Sequence, residues 1–104
     1  MAELRWALTA GDDLREIEEY IARDSMLHAV SFVDRLVEAA DRLGAAPRIG
    51  RVVPEFGRED LREVLFRGYR IVYLLRGDTV TVLRVVHGAR DLAGLAQREP
   101  WQLD

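Results

Sequence analysis

Apolar positions along the chain change period twice, and each change marks a new kind of element. Leu4, Trp6 and Leu8 alternate with other residues, the period of a short strand, here predicted over Leu4 to Leu8. From Thr9 the period lengthens. Leu14, Ile17, Tyr20 and Ile21 fall on one side of a helix, while Asp13, Glu16, Glu19 and Arg23 fall largely on the other. Thr9 stands where an N-cap belongs, with Asp12 as a shortened capping box and Asp13 adding negative charge to the first turn. Asp24-Ser25 interrupts the pattern, and Ser25 is placed to cap a second helix reaching about Leu43. Its apolar face is Val30, Val33, Leu36, Val37, Ala40 and Leu43, with Gly44 as the expected stop and Pro47 preventing resumption. A link this short predicts an antiparallel helical pair.

Ala45 to Asp60 reads as irregular and locally basic, through Arg48, Arg51 and Arg58; a solvated connection and a binding loop both fit it. Period two then returns. Strands are predicted over Leu61 to Phe66, Tyr69 to Arg76 and Thr79 to His87, with Gly68 turning the chain once and Gly77-Asp78 forming a two-residue hairpin loop. In the middle strand Tyr69, Ile71, Tyr73 and Leu75 share one face and Arg70, Val72, Leu74 and Arg76 the other. Both faces carry apolar residues, so this strand is predicted to be central. Past Asp91, Leu92 to Arg98 has room for one or two helical turns, and Trp101 in the tail either docks on the body or meets a partner.

The 104 residues allow a single core. At 49% hydrophobic and 32% charged the chain reads as a globular domain rather than a disordered one. No apolar run approaches the roughly 20 residues of a membrane span, and from the opening Met1-Ala2-Glu3-Leu4-Arg5, which lacks a basic stretch followed by an apolar one, no secretory signal is expected. The lack of cysteine is compatible with a reducing cytoplasm, which is the expected location. All 15 positive side chains are arginine, yet the net charge is -3. Binding nucleic acid with the whole body needs an accumulated positive field, so any such contact must come from a local arginine patch.

Candidate chemistry gathers after the sheet. Arg70, His87 and Arg90 would suit a phosphate, since guanidinium groups grip it bidentately and a histidine near neutrality moves a proton. Equally open is a structural role, with Arg70 paired to Glu63 and Arg90 to Asp91. His28 has no partner at metal spacing and no cysteine is present, so neither a metal nor any other cofactor is expected. Glu16 to Glu19 reads as a solvated face.

Taken together, Leu14, Glu16-Ile17, Tyr20-Ile21, Phe32-Val33, Leu36, Pro47, Gly50-Arg51, Leu61-Arg62-Glu63, Gly68 to Tyr73 and Val86 to Leu92 resemble, in order and spacing, the RelE/ParE superfamily of type II toxin-antitoxin toxins. The resemblance implies an α+β fold: an N-terminal strand, an antiparallel two-helix hairpin, then a three-stranded antiparallel meander completing one sheet. It spans residues 1–92 as one toxin domain, leaving 93–104 as a tail with room for a short helix. It implies a cognate antitoxin, in a groove between hairpin and sheet or on a free sheet edge, with operator DNA reached only through the toxin-antitoxin complex. Activity divides within the superfamily: one branch cleaves messenger RNA on the ribosome, the other poisons DNA gyrase by binding.

Arg70 and Arg90 match arginines that the ribonuclease branch uses on phosphate, with His87 beside them. Two basic residues of that branch fall at Leu61 and Glu63, and its C-terminal tyrosine falls near Ala96, so the nuclease set is incomplete. The Leu61-Arg62-Glu63 run and the His87 to Asp91 ending look ParE-like. The expectation is therefore a gyrase-binding toxin, with a ribosome-dependent mRNA endonuclease as the alternative. Arg51, Arg58, Arg62, Arg67 and Trp101 are the expected contacts with target or partner.

Overall fold

The computed structural model describes residues 1–99, 101 and 103. In chain order it contains β1 (Glu3–Trp6), α1 (Leu8–Ala22), α2 (Met26–Ala45), β2 (Arg51–Val52), β3 (Leu61–Phe66), β4 (Tyr69–Arg76), β5 (Thr79–His87) and α3 (Leu92–Arg98). The strands form one sheet in the order β1-β5-β4-β3-β2, with β1 parallel to β5 and every other neighbour antiparallel. β4 is thus central, as its two apolar faces require.

Alternation along β4 feeds two cores. Ile71 joins Ile17, Leu36, Ala40, Val82 and Val85 under the α1–α2 hairpin. Val72 and Leu74 join Val53, Leu61, Leu83, Val86, Leu92 and Leu95 on the opposite face, which α3 covers. A bulge lets β5 serve both. Tyr73 pairs with Val82 and Val72 with Arg84, so Leu83 is the extra residue and falls into the second core. The β3–β4 turn places both Arg67 and Gly68 at positive φ, 46° and 87°, the pattern of a type I′ hairpin. At the β4–β5 turn only Gly77, at 55°, is positive, which fits the predicted loop with its glycine first.

Several local expectations give way to tertiary contacts. β1 stops at Trp6, and Leu8 opens α1 with its side chain in solvent. Ala7 is the N-cap and carries no side-chain cap bond. Thr9 lies inside the helix instead, its hydroxyl donating to the Leu83 carbonyl at 2.9 Å. Asp13, expected on the polar side, is 6% exposed and accepts the Val85 N–H at 2.8 Å. The cause lies at the sheet edge: β1 pairs with β5 only as far as Val82, and buried backbone groups beyond it need partners. Ala7, Thr9 and Asp13 provide them for Val82, Leu83 and Val85 in turn.

Ser25 does cap α2, accepting the His28 N–H at 3.1 Å. Gly44 does not end it; α2 continues to Ala45, and Gly44 is buried where the N-terminal segment crosses, its carbonyl accepting the Ala2 N–H at 2.8 Å. A Cβ there would stand 3.3 Å from the Ala2 carbonyl oxygen, so packing explains this glycine. Tyr20 is exposed, with the Arg23 guanidinium 5.6 Å from its ring centre. Val30 is exposed beside Met26 and Leu27 at the free end of the hairpin. Within the segment expected to be irregular, Arg51–Val52 adds a fifth strand by pairing with Glu63 and Arg62. Gly50 before it touches Tyr73, whose hydroxyl accepts the Gly50 N–H and donates to the Pro47 carbonyl.

Candidate functional site

Strand register decides which charged groups meet. Arg51, Glu63 and Val72 are cross-strand neighbours on one rung, and Leu65, Arg70 and Val86 on the next, all on the α3 side of the sheet. Glu63 is 1% exposed. It takes Nε of Arg70 at 2.6 Å on one oxygen and Nε of Arg51 at 2.7 Å on the other. Both terminal nitrogens of Arg70 donate to Glu55, each at 2.6 Å. The bond from Arg70 holds the Glu55 carboxyl below its ordinary range, and Glu55 and Glu63 together raise the Arg70 pKa.

Two arginines thus meet two glutamates, and this patch is charge-balanced. It lines a hollow of about 370 Å³ with Leu65, Gly68 and Gly88. A phosphate arriving there would have to displace Glu55 or Glu63 from Arg70. Nor do the neighbouring positions help, since Leu61 is fully buried in the second core and Glu63 is itself the anion.

His87 and Arg90 lie elsewhere. His87 is the cross-strand neighbour of Tyr69 and meets its ring edge-on at 5.6 Å, on the side of the sheet where Tyr69 also touches Phe32 of α2. The Ala89 N–H donates to His87 Nδ1 at 3.2 Å, which places the imidazole proton of this arrangement on Nε2. Arg90 follows in the turn and makes no salt bridge among the described residues. Asp13, Glu16, Tyr20, Tyr69, His87 and Arg90 line a second hollow, of about 180 Å³. The structure therefore brings His87 and Arg90 together and puts Arg70 through the sheet from them.

The remaining sequence candidates are dispersed. Arg58 pairs with Asp60, Arg62 with Glu59 and the Gly50 carbonyl, and Arg67 sits over the Phe66 ring at 5.5 Å. Trp101 packs on Phe56, ring centres 5.4 Å apart. Two residues that sequence reasoning did not single out prove central. Glu55 is the bidentate partner of Arg70, and Arg84 forms a buried pair with Asp13 (2.8 and 3.0 Å) that Glu99 extends at 3.0 Å. Neither carries a local signal, because the partners are 15 and 71 residues apart. Among the described residues no group of three or more His, Cys, Asp or Glu side chains is placed to hold a metal, and no helix is long and apolar enough to cross a membrane.

Acid should loosen this side of the sheet. Hydrogen bonds from Arg58, then Arg76, hold Asp60 at about 2, and Glu55 is also lowered. Each folded pKa lies below its unfolded value, so the unfolded chain takes up protons first. Their stabilisation is present above pH ~4 and is lost as pH falls toward ~2. Urea midpoints measured at pH 6, 4 and 3 should fall in that order, and an Asp60→Asn variant should show a shallower fall.

The sheet, with the helical hairpin on one face and the short helix on the other, is an α+β fold shared with a solved structure. The chain superposes on a chain of the chromosomal ParDE toxin-antitoxin system from P. aeruginosa with a TM-score of 0.71, at 23% identity, covering 84% of this chain and 96% of that one. A family model described as ParE toxin of type II toxin-antitoxin system, parDE, matches residues 4–92. Toxin RelE2 of Caulobacter vibrioides is 36% identical over 90 residues, 86% of this chain and 99% of that protein. Toxin ParE3 of the same organism is 28% identical over 90 residues, 86% of this chain and 89% of that one. The chain belongs to the ParE toxin family of type II toxin-antitoxin systems, within the RelE/ParE superfamily.

Proposed function

We propose that this toxin arrests growth in the cytoplasm by binding DNA gyrase, without cleaving RNA, and that a cognate antitoxin silences it and carries the pair to operator DNA. One observation carries the choice of target: all three guanidinium nitrogens of Arg70 are held by Glu55 and Glu63. A ribonuclease must stabilise an anionic transition state with donors aimed where charge develops. Here the arginine is charge-balanced before any substrate arrives. A surface that recognises a folded protein needs no such free charge.

The purified chain should inhibit gyrase supercoiling and leave ribosome-bound messenger RNA intact. Unaffected supercoiling together with cleaved message would sink the proposal. That pair of results would support the second reading, an mRNA endonuclease, which one observation favours: His87 and Arg90 share a hollow. Under that reading His87→Ala and Arg90→Ala each abolish cleavage in a folded protein.

A further inference from the structure

β1 ends the sheet on one side, and its outer edge is open. Its parallel register with β5 turns alternate residues inward. The Glu3 N–H donates to the Asp78 carbonyl at 2.7 Å and the Ala7 N–H to the Val82 carbonyl at 2.9 Å. Glu3 and Arg5 therefore direct their backbone groups at β5, while Leu4 and Trp6 direct theirs away from it. Among the described residues nothing bonds the N–H or C=O of Leu4 or Trp6. The side chains divide in the same alternation: Leu4 and Trp6 pack toward the helical hairpin, and Glu3 and Arg5 stand on the opposite face, 58% and 62% exposed. Just beyond the two ends of the strand lie Met1 and Leu8, both large, apolar and in solvent.

We infer that this edge pairs with the same edge of a second copy of the chain, antiparallel about a two-fold axis through Leu4, joining two five-stranded sheets into one. The charge pattern of the strand selects both the partner and the register. Reversed upon itself about Leu4, Glu3-Leu4-Arg5 sets each Glu3 opposite the Arg5 of the other copy. These are non-hydrogen-bonded pairs, with Cα atoms about 4.5 Å apart, where side chains meet most closely. The two Leu4 residues exchange both backbone bonds, and at each end the Trp6 N–H comes opposite the Ala2 carbonyl. The same axis brings the Leu8 end of one copy beside the Met1 end of the other, so both exposed apolar groups gain cover. Other registers fail: an axis through Arg5 sets arginine on arginine, and one through Trp6 runs Leu4 into the start of α1. The contact is small beside the roughly 1,600 Å² of a standard interface, so the dimer is expected to half-form at about 10–100 µM. It depends on neither the target nor the antitoxin.

Sedimentation of the full chain from about 1 to 500 µM should show a monomer passing into a dimer. Arg5→Glu makes the exposed face of β1 wholly acidic and should weaken the dimer at least about ten-fold; Glu3→Arg, which makes it wholly basic, should do the same. An equimolar mixture of the two variants should associate within about two-fold of the wild type, and so should one chain carrying both substitutions. Both side chains are exposed, so the variants keep the fold. At about 500 µM the Leu4 N–H should exchange at least about three-fold more slowly in the wild type than in Arg5→Glu. The Arg5 N–H, turned toward β5, should be protected equally in both. A wild-type chain that stays monomeric throughout overturns the inference. A dimer that neither variant weakens also overturns it, because the contact then lies on another surface. A mixture of the two variants that fails to associate, or a Leu4 amide that slows only when the antitoxin is bound, overturns it as well.

Discussion

Asp13→Ala should lower the free energy of unfolding by roughly 3–5 kcal/mol. Asp13 holds Arg84 through two bonds and also accepts the Val85 N–H, all within the buried interior. Its loss leaves Arg84, 5% exposed, with only Glu99 at the surface, and leaves a backbone N–H at the sheet edge without an acceptor. Both penalties fall on the folded state alone. Domains of this size have about 5–15 kcal/mol in total, so urea unfolding should reveal a protein near its limit. Asp12→Ala is the control: its pair with Arg15 is exposed on both sides, and its removal should cost no more than about 0.5 kcal/mol. Asp13→Asn should lie between the two, because its amide oxygen can still take the Val85 N–H. Equal midpoints for the Asp12 and Asp13 variants would show that the α1–β5 junction does not depend on this carboxylate.

Arg70→Ala is expected to destabilise by roughly 2–4 kcal/mol, because Glu63 stays buried with Arg51 as its one remaining partner. Arg70→Lys should recover little, since an ammonium cannot grip Glu55 bidentately while also reaching Glu63. A double-mutant cycle between Arg70→Ala and Glu55→Ala should give a coupling of about 1–3 kcal/mol. Strict additivity would mean that the two side chains do not act together, leaving the Arg70 guanidinium free to meet a phosphate. The cycle also guards against a misreading: reduced toxicity of Arg70→Ala would report unfolding unless the variant is shown to be folded.

The parts of the fold that were legible in the sequence are those that local rules govern. Period-two alternation located β3, β4 and β5 with their bounds, and Ser25 marked the start of α2. What was not legible depends on distant partners. Thr9 looks like a cap because its neighbours suit one, yet the open edge of β5, more than seventy residues on, claims its hydroxyl. Asp13 sits on the charged side of any helical wheel, but the bulge at Leu83 and the end of β1 create a buried acceptor position beside it. β2 has only two residues, too few for any period, and forms because the outer edge of β3 is there to pair with. The site was legible in its residue types and not in its grouping. Arg70 and His87 differ in strand parity once register is known, so the sheet divides a set that the sequence lists side by side.

The parallel pairing of β1 with β5 also constrains the order of assembly. Glu3 pairs with Thr79 and Trp6 with Val82, so the first strand to leave the ribosome has no strand partner until the last one follows it. Contacts between such distant positions form late, because a long loop must close before they give any return. The α1–α2 hairpin emerges next, before β2 to β5, and lacks the sheet face that buries its apolar stripe. During synthesis the toxin therefore remains an incomplete fold for almost its whole length, and both hollows, each lined by residues of the last strands, are assembled only at the end.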